Sequence, residues 1–129
     1  MAEPKLFKCK QCGKVIELLP GTHGCPTKCC GEPMVELKPN TTDGAFEKHV
    51  PAVTIEGNVV NVQVGSVAHP MIEAHFIPFI YLVTNKRTSR VDLNPGDAPV
   101  ARFVLDEDEK ALKVFEYCNL HGLWVKELD

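Results

Sequence analysis

The sequence predicts a mostly β protein: a small metal-stapled N-terminal domain, then an antiparallel β-sandwich. Three observations predict it. Five of the six cysteines fall within residues 9 to 30. Short runs of β-branched and aromatic residues, separated by turn signals, recur from residue 51 to the end. No segment keeps a helical period for more than two turns.

The N-terminal part is read first. It is too short to bury a core of its own and needs a crosslink or a metal. "CKQCG" spaces Cys9 and Cys12 by two residues, and "CPTKCCGEPM" supplies Cys25 and the adjacent pair Cys29 and Cys30. Thiolates in such pairs wrap one tetrahedral iron or zinc. Gly13 and Gly31, each just after a cysteine, leave the backbone free to fold over the sulfurs. Neighbours such as Cys29 and Cys30 reach one metal only if the backbone between them distorts. Cys25 is left over, a free thiol or a competing ligand, and His23 reads as a solvated loop histidine.

"KPNTTDGA", residues 38 to 45, is polar and turn-rich and reads as a linker. It places the boundary between domains 1–38 and 39–129. In the second domain, "VTIEGNVVNVQVG" alternates Val53 and Ile55 against Val60, Val62 and Val64, with Gly57-Asn58 as a two-residue hairpin turn. "HFIPFIYLVT" is a strand whose Pro78 marks an edge or an irregular start. "PVARFVL", "ALKVFEY" and "GLWVKEL" are further strands, and "NPGD" at 94 to 97 is a turn. Short strands at this spacing make a sandwich.

Composition sets the outer limits. The chain has 129 residues, 44% hydrophobic and 24% charged, with a net charge of −3. That is a globular composition. With no basic run it carries no electrostatic footprint for nucleic acid. The longest apolar run, "FIPFIYLV", is too short to span a bilayer, and the N-terminus has no signal-peptide core. The expectation is a cytoplasmic protein with reduced cysteines.

Three short stretches carry the remaining chemistry. "FEKHVP" holds His49, "AHPMIEAH" holds His69 and His75, and "YCNLHGLW" holds Cys118 and His121. Pro70 and Pro51 stiffen the chain beside the first two sites, and Gly122 closes the C-x-x-H pair. All three lie at strand ends or in loops. A lone histidine is ordinarily a surface or hydrogen-bonded residue, but four with one cysteine form a donor set. Zinc is satisfied by four ligands. Five suit a square pyramid on iron with a sixth position open, which is a reactive site and not a staple.

In these motifs and their order the chain resembles the desulfoferrodoxins, the two-iron class of superoxide reductase. "CKQCG…CCGEPM" is similar to their desulforedoxin-like domain; "EKHVP", "GSVAHPM…H" and "CNLHG" are similar to the catalytic domain shared with neelaredoxin. The resemblance implies an Fe(Cys)4 centre on Cys9, Cys12, Cys29 and Cys30. It implies an Fe(His)4(Cys) centre with His49, His69, His75 and His121 equatorial and Cys118 axial. Glu47 and Lys48 match the family's active-site pair. It further implies an immunoglobulin-like sandwich, a homodimer, superoxide as substrate and a rubredoxin-type electron donor. One departure is visible: "LPGTHGCPTK" is longer than the family's usual loop and contains Cys25. Two rivals remain open at this level: superoxide dismutase chemistry at the same site, which would evolve oxygen, and a rubredoxin-like electron carrier, which would bind no exogenous anion.

Overall fold

Alternating short side chains and tight turns leave this chain little choice but hairpins. The computed structural model describes residues 3–22, 27–41, 44 and 46–128. Two compact units divide between Lys38 and Pro39.

The first unit is a set of very short strands. β1 (Lys5–Lys8) pairs antiparallel with β2 (Val15–Leu18) on one side and with β5 (Val35–Glu36) on the other. β3 (Lys28–Cys29) and β4 (Glu32–Pro33) form a separate two-stranded hairpin. Among its described residues the buried hydrophobic ones are Leu6, Cys9 and Met34. So thin a core cannot hold the unit by apolar burial alone.

The second unit opens with one helical turn, α1 (Phe46–His49), and continues with seven strands. β6 (Pro51–Glu56), β7 (Val59–Val64) and β10 (Val100–Val104) form one antiparallel sheet with β7 in the middle. β8 (Phe79–Thr84), β9 (Thr88–Asp92), β11 (Ala111–Cys118) and β12 (Gly122–Glu127) form the other, in the order β12-β11-β8-β9. Seven antiparallel strands in sheets of three and four are the immunoglobulin-like arrangement. Val60, Val62 and Val64 of β7 pack with Ile80 and Leu82 of β8 and Val114 of β11 in the core between them.

The hairpin at Gly57-Asn58 has φ +61° at Gly57, the first central position, which an L side chain disfavours and a type II′ turn requires. Pro78 stands one residue before β8, so the strand starts late. β8 itself is interior, between β11 and β9. β9 was not anticipated; it is an edge strand with no fully buried residue. Among the described residues no helix is long and apolar enough to cross a membrane.

Candidate metal centres

The two knuckles of the first unit are built locally. After β1, Gly13 N donates to Cys9 O at 2.9 Å and Cys9 N donates to Lys14 O at 2.9 Å, curling residues 9 to 14 into one turn. In the β3–β4 hairpin, Cys29 pairs with Glu32, and Cys30 takes a φ of +52°. A left-handed non-glycine residue is uncommon. It is the distortion that adjacent cysteines demand, and it turns both sulfurs to the same side. The ligand atoms of Cys9, Cys12, Cys29 and Cys30 all lie within 4.8 Å of one another. The Sγ atoms of Cys12 and Cys29 are 3.6 Å apart, and those of Cys29 and Cys30 are 3.9 Å apart. Four sulfurs at about 2.3 Å from one tetrahedral ion are about 3.8 Å apart, so the donor set fits such an ion.

The protonation energetics agree with this fit. The Cys29 thiol is pushed up to about 12, first by the neighbouring Cys9 and then by Cys12. Cys30 is raised as well, chiefly by Cys12. Cys9 is lowered to about 7, mainly because the Cys12 backbone N–H donates to its sulfur. One thiolate forms readily and its neighbours resist; a bound cation removes the conflict. Cys9 is buried, whereas Cys12 and Cys30 are exposed. His23 and Cys25 lie outside the described residues.

The second cluster is assembled from distant segments. His49 ends α1, His69 and His75 lie in the long connection between β7 and β8, and Cys118 and His121 bracket the β11–β12 turn. Gly122, with φ +84°, closes that turn. The four imidazoles stand in a square. Neighbouring ring centroids are 4.7 to 5.0 Å apart with planes crossed at 71° to 81°. The opposite rings His49 and His75 are 6.4 Å apart and nearly parallel, at 29°. His49 Nε2 lies 3.2 Å from His69 Nε2 and 3.1 Å from His121 Nδ1. Nitrogens at the corners of such a square are about 2.2 Å from its centre, close to the imidazole–metal bond length of about 2.0–2.1 Å known for zinc.

Cys118 is fully buried and its Sγ lies 3.7 Å from His121 Nδ1. The ligand atoms of His49, His75, Cys118 and His121 all lie within 4.8 Å of one another. His69 joins through its contact with His49. The buried His75 Nε2 has no hydrogen-bond partner. An orphaned imidazole nitrogen facing three other rings and a thiol is what a metal ion would satisfy. Burial pushes His69 down to about 4, and pushes His75 down as well, with His121 and then Lys48 adding to the effect on His75. Neutral imidazoles are the ligand form.

Residues with no metal-binding chemistry hold the square in place. His69 Nδ1 donates to Pro70 O at 2.6 Å, which leaves Nε2 as its lone-pair nitrogen. Asn119 Oδ1 accepts from Phe76 N at 3.0 Å and its Nδ2 donates to Ala74 O at 3.1 Å, clamping both sides of His75. Trp124 stacks on His49, with centroids 5.0 Å apart, and its Nε1 donates to His121 O at 3.1 Å. The His121 backbone N–H donates to the Cys118 sulfur at 3.4 Å. Asn119 and Trp124 were not singled out from the sequence, where a tryptophan in a strand and an asparagine in a turn look ordinary. Lys48 is exposed on α1 beside His49; the Glu47 side chain lies outside the described residues. Glu116, two residues before Cys118, is fully buried with neither carboxylate oxygen partnered, and burial pushes its pKa well above the ordinary carboxylate range.

Residues 41–127 match the family model described as Desulfoferrodoxin. The desulfoferrodoxin of Syntrophotalea carbinolica is 50% identical over 98% of this chain and 99% of its own. That of Nitratidesulfovibrio vulgaris is 46% identical over 95% of each chain. Among solved structures, the superoxide reductase from Treponema pallidum superposes with a TM-score of 0.80 at 34% identity, covering 98% of this chain and 100% of that one.

Proposed function

The chain belongs to the desulfoferrodoxin family, and on that premise we propose that it reduces superoxide to hydrogen peroxide at the four-histidine, one-cysteine cluster. It is an oxidoreductase with two mononuclear irons as cofactors. Cys9, Cys12, Cys29 and Cys30 hold the first iron; His49, His69, His75, His121 and Cys118 hold the second. The reaction takes up one electron and two protons per superoxide and releases no dioxygen.

The observation that carries the reading is the square of imidazoles with the orphaned His75 nitrogen and a buried thiol against it. A closed structural site needs only four donors. Five donors, with a side still reached by solvent through the partly exposed His75 and His121, suit an ion that must also meet a small anion. Iron bound there supplies a one-electron couple and a Lewis-acidic open position.

The rest of the work belongs to side chains. Neutral imidazoles leave the cation's charge largely uncompensated, which favours an anionic substrate. Cys118 would hold the iron from the core side and supply electron density to it, moderated by the hydrogen bond its sulfur accepts from His121 N. Lys48, exposed beside the square, draws the anion in, and water held at its Nζ delivers protons. Glu47, its sequence neighbour and the other member of the family's active-site pair, would be the carboxylate that closes the open side of the site. The donor is a rubredoxin-type protein, the assembly a homodimer and the location cytoplasmic, where thiols stay reduced.

Superoxide generated by pulse radiolysis tests the reaction. One peroxide per superoxide consumed, with reductant present and no oxygen evolved, is the expected result. Oxygen evolution at half the superoxide consumed would assign dismutation instead.

A further inference from the structure

Each superoxide reduced requires an electron from outside the protein, so a donor must meet this surface somewhere. Charge is unevenly divided along the chain. Residues 1–38 contain six lysines and four glutamates, a net +2, while the rest contains eight cations and thirteen acids, a net −5. Four of the six lysines, at 8, 10, 14 and 28, lie within two residues of a metal-binding cysteine. Lys10, Lys14 and Lys28 are exposed, and among the described residues none of them enters an ion pair. The two exposed thiols of the cluster, Cys12 and Cys30, share these loops. Glu32, the one acid on the same loops, accepts a hydrogen bond from Gln11 at 3.2 Å.

We infer that the exposed Cys12–Cys30 edge, with its collar of Lys10, Lys14 and Lys28, docks a small acidic one-electron carrier protein. The inference rests on the proposed reduction of superoxide for its need of an electron. The physical argument is in the surface itself. A sulfur edge open to solvent brings a partner's redox group within contact of the four-cysteine centre. Clustered like charge raises the encounter rate with an oppositely charged partner by about 10-fold or more. Lysine suits a transient complex, because its flexible ammonium remains hydrated and fixes no rigid geometry. At docking the carrier loses one electron and the four-cysteine centre gains it; no bond forms or breaks and no proton need move.

The experiment uses iron-loaded protein and the triple variant Lys10→Gln/Lys14→Gln/Lys28→Gln, with an acidic rubredoxin as the probe carrier. Two readouts are taken at low and high salt: calorimetric affinity for the oxidised carrier, with no turnover, and the stopped-flow rate at which the reduced carrier bleaches the first centre. The variant is expected to lose about 10-fold or more in both at low salt and to flatten the salt dependence. Its second centre, chemically pre-reduced, is expected to react with superoxide as the parent does. Parent-like affinity and rate in the variant would overturn the inference. So would an altered oligomeric state by light scattering with carrier binding unchanged, which would give the collar to self-association. A parent that binds the carrier but does not react with superoxide would instead overturn the functional reading and leave the docking result standing.

Discussion

Replacing Gly44 by alanine adds one methyl group against the residues of the second cluster. A Cβ there would lie 3.2 Å from Cζ2 of Trp124, 3.3 Å from Cβ of His121 and 3.3 Å from Cε1 of His49. Carbon atoms pack best at about 3.5–4.0 Å, so each contact is short by a few tenths of an ångström. The neighbours have little room to yield. Trp124 is fully buried, stacked on His49 and bonded through Nε1 to His121 O. Cε1 of His49 is bonded to Nε2, the nitrogen that faces His69 and His121, so a push on that carbon displaces the donor atom too. The backbone of Gly44 is not left-handed, so alanine there would otherwise stabilise by about 0.4–1 kcal/mol through the unfolded chain. Overpacking costs about 1–3 kcal/mol, and the expected net is a loss of roughly 1–2 kcal/mol. Denaturant unfolding of the iron-loaded protein measures this, and the visible spectrum reports the second centre separately. The expected result is a lower midpoint, a shifted thiolate-to-iron band and an unchanged first-centre spectrum. A variant with parent-like midpoint and band would refute the reasoning, because it would show that the loop at Gly44 retreats without touching the histidines.

Other substitutions probe different terms. Cys118→Ser should abolish the thiolate charge-transfer band of the second centre and the activity even where iron still binds; a persistent band would mean another sulfur is the ligand. Lys48→Ile should slow the reaction with superoxide by about 10-fold at low salt and flatten its salt dependence, leaving both iron spectra in place; pulse radiolysis at two ionic strengths decides this, and equal salt slopes would return Lys48 to an ordinary surface role. Glu109 is held at about 2, first by hydrogen bonds from Arg87 at 2.7 and 3.0 Å and, after the opposing cost of burial, by one from Thr84. A carboxylate lowered in the folded state stabilises it above the unfolded pKa near 4.5, and that contribution fades as pH falls from 4.5 towards 2. Arg87 is half exposed, so the screened share is at most about 1 kcal/mol; Glu109→Gln should lose it at pH 7 and show a flatter acid limb in thermal melts. Glu116→Met removes a buried, unpartnered carboxyl at similar volume and should raise stability by about 1–3 kcal/mol; a lower melting temperature would reveal a partner for that carboxyl.

Local chemistry was legible along the chain where it is local in space. Cys9 and Cys12 reach one ion because two intervening residues make one turn, and the cost of the adjacent Cys29–Cys30 pair surfaces as the positive φ of Cys30. The strands from 51 to 64 were legible because alternation sorts their side chains to two faces. β9 was not, since Ser89 and Val91 are only half-buried on an edge and its alternation is faint. The short pairings of β1, β2 and β5 were not either, because pieces of two to four residues carry no period.

By itself the sequence determined the donor types, their local spacing and the β character of what holds them. Those follow from covalent neighbours and from a pattern that burial must respect. Only the tertiary structure decided that His49, His69, His75, Cys118 and His121 meet, because α1, the β7–β8 connection and the β11–β12 turn converge only once the two sheets pack. It also decided which imidazole nitrogen faces the centre. His69 offers Nε2 because Pro70 O occupies its Nδ1, whereas His121 offers Nδ1 to the same square. The residues that hold the rings, Asn119 across more than forty positions to Ala74 and Phe76 and Trp124 against His49, act through contacts with no trace in periodicity. Burial and hydrogen bonding between distant segments belong to the packed state, so the reactive geometry exists only there.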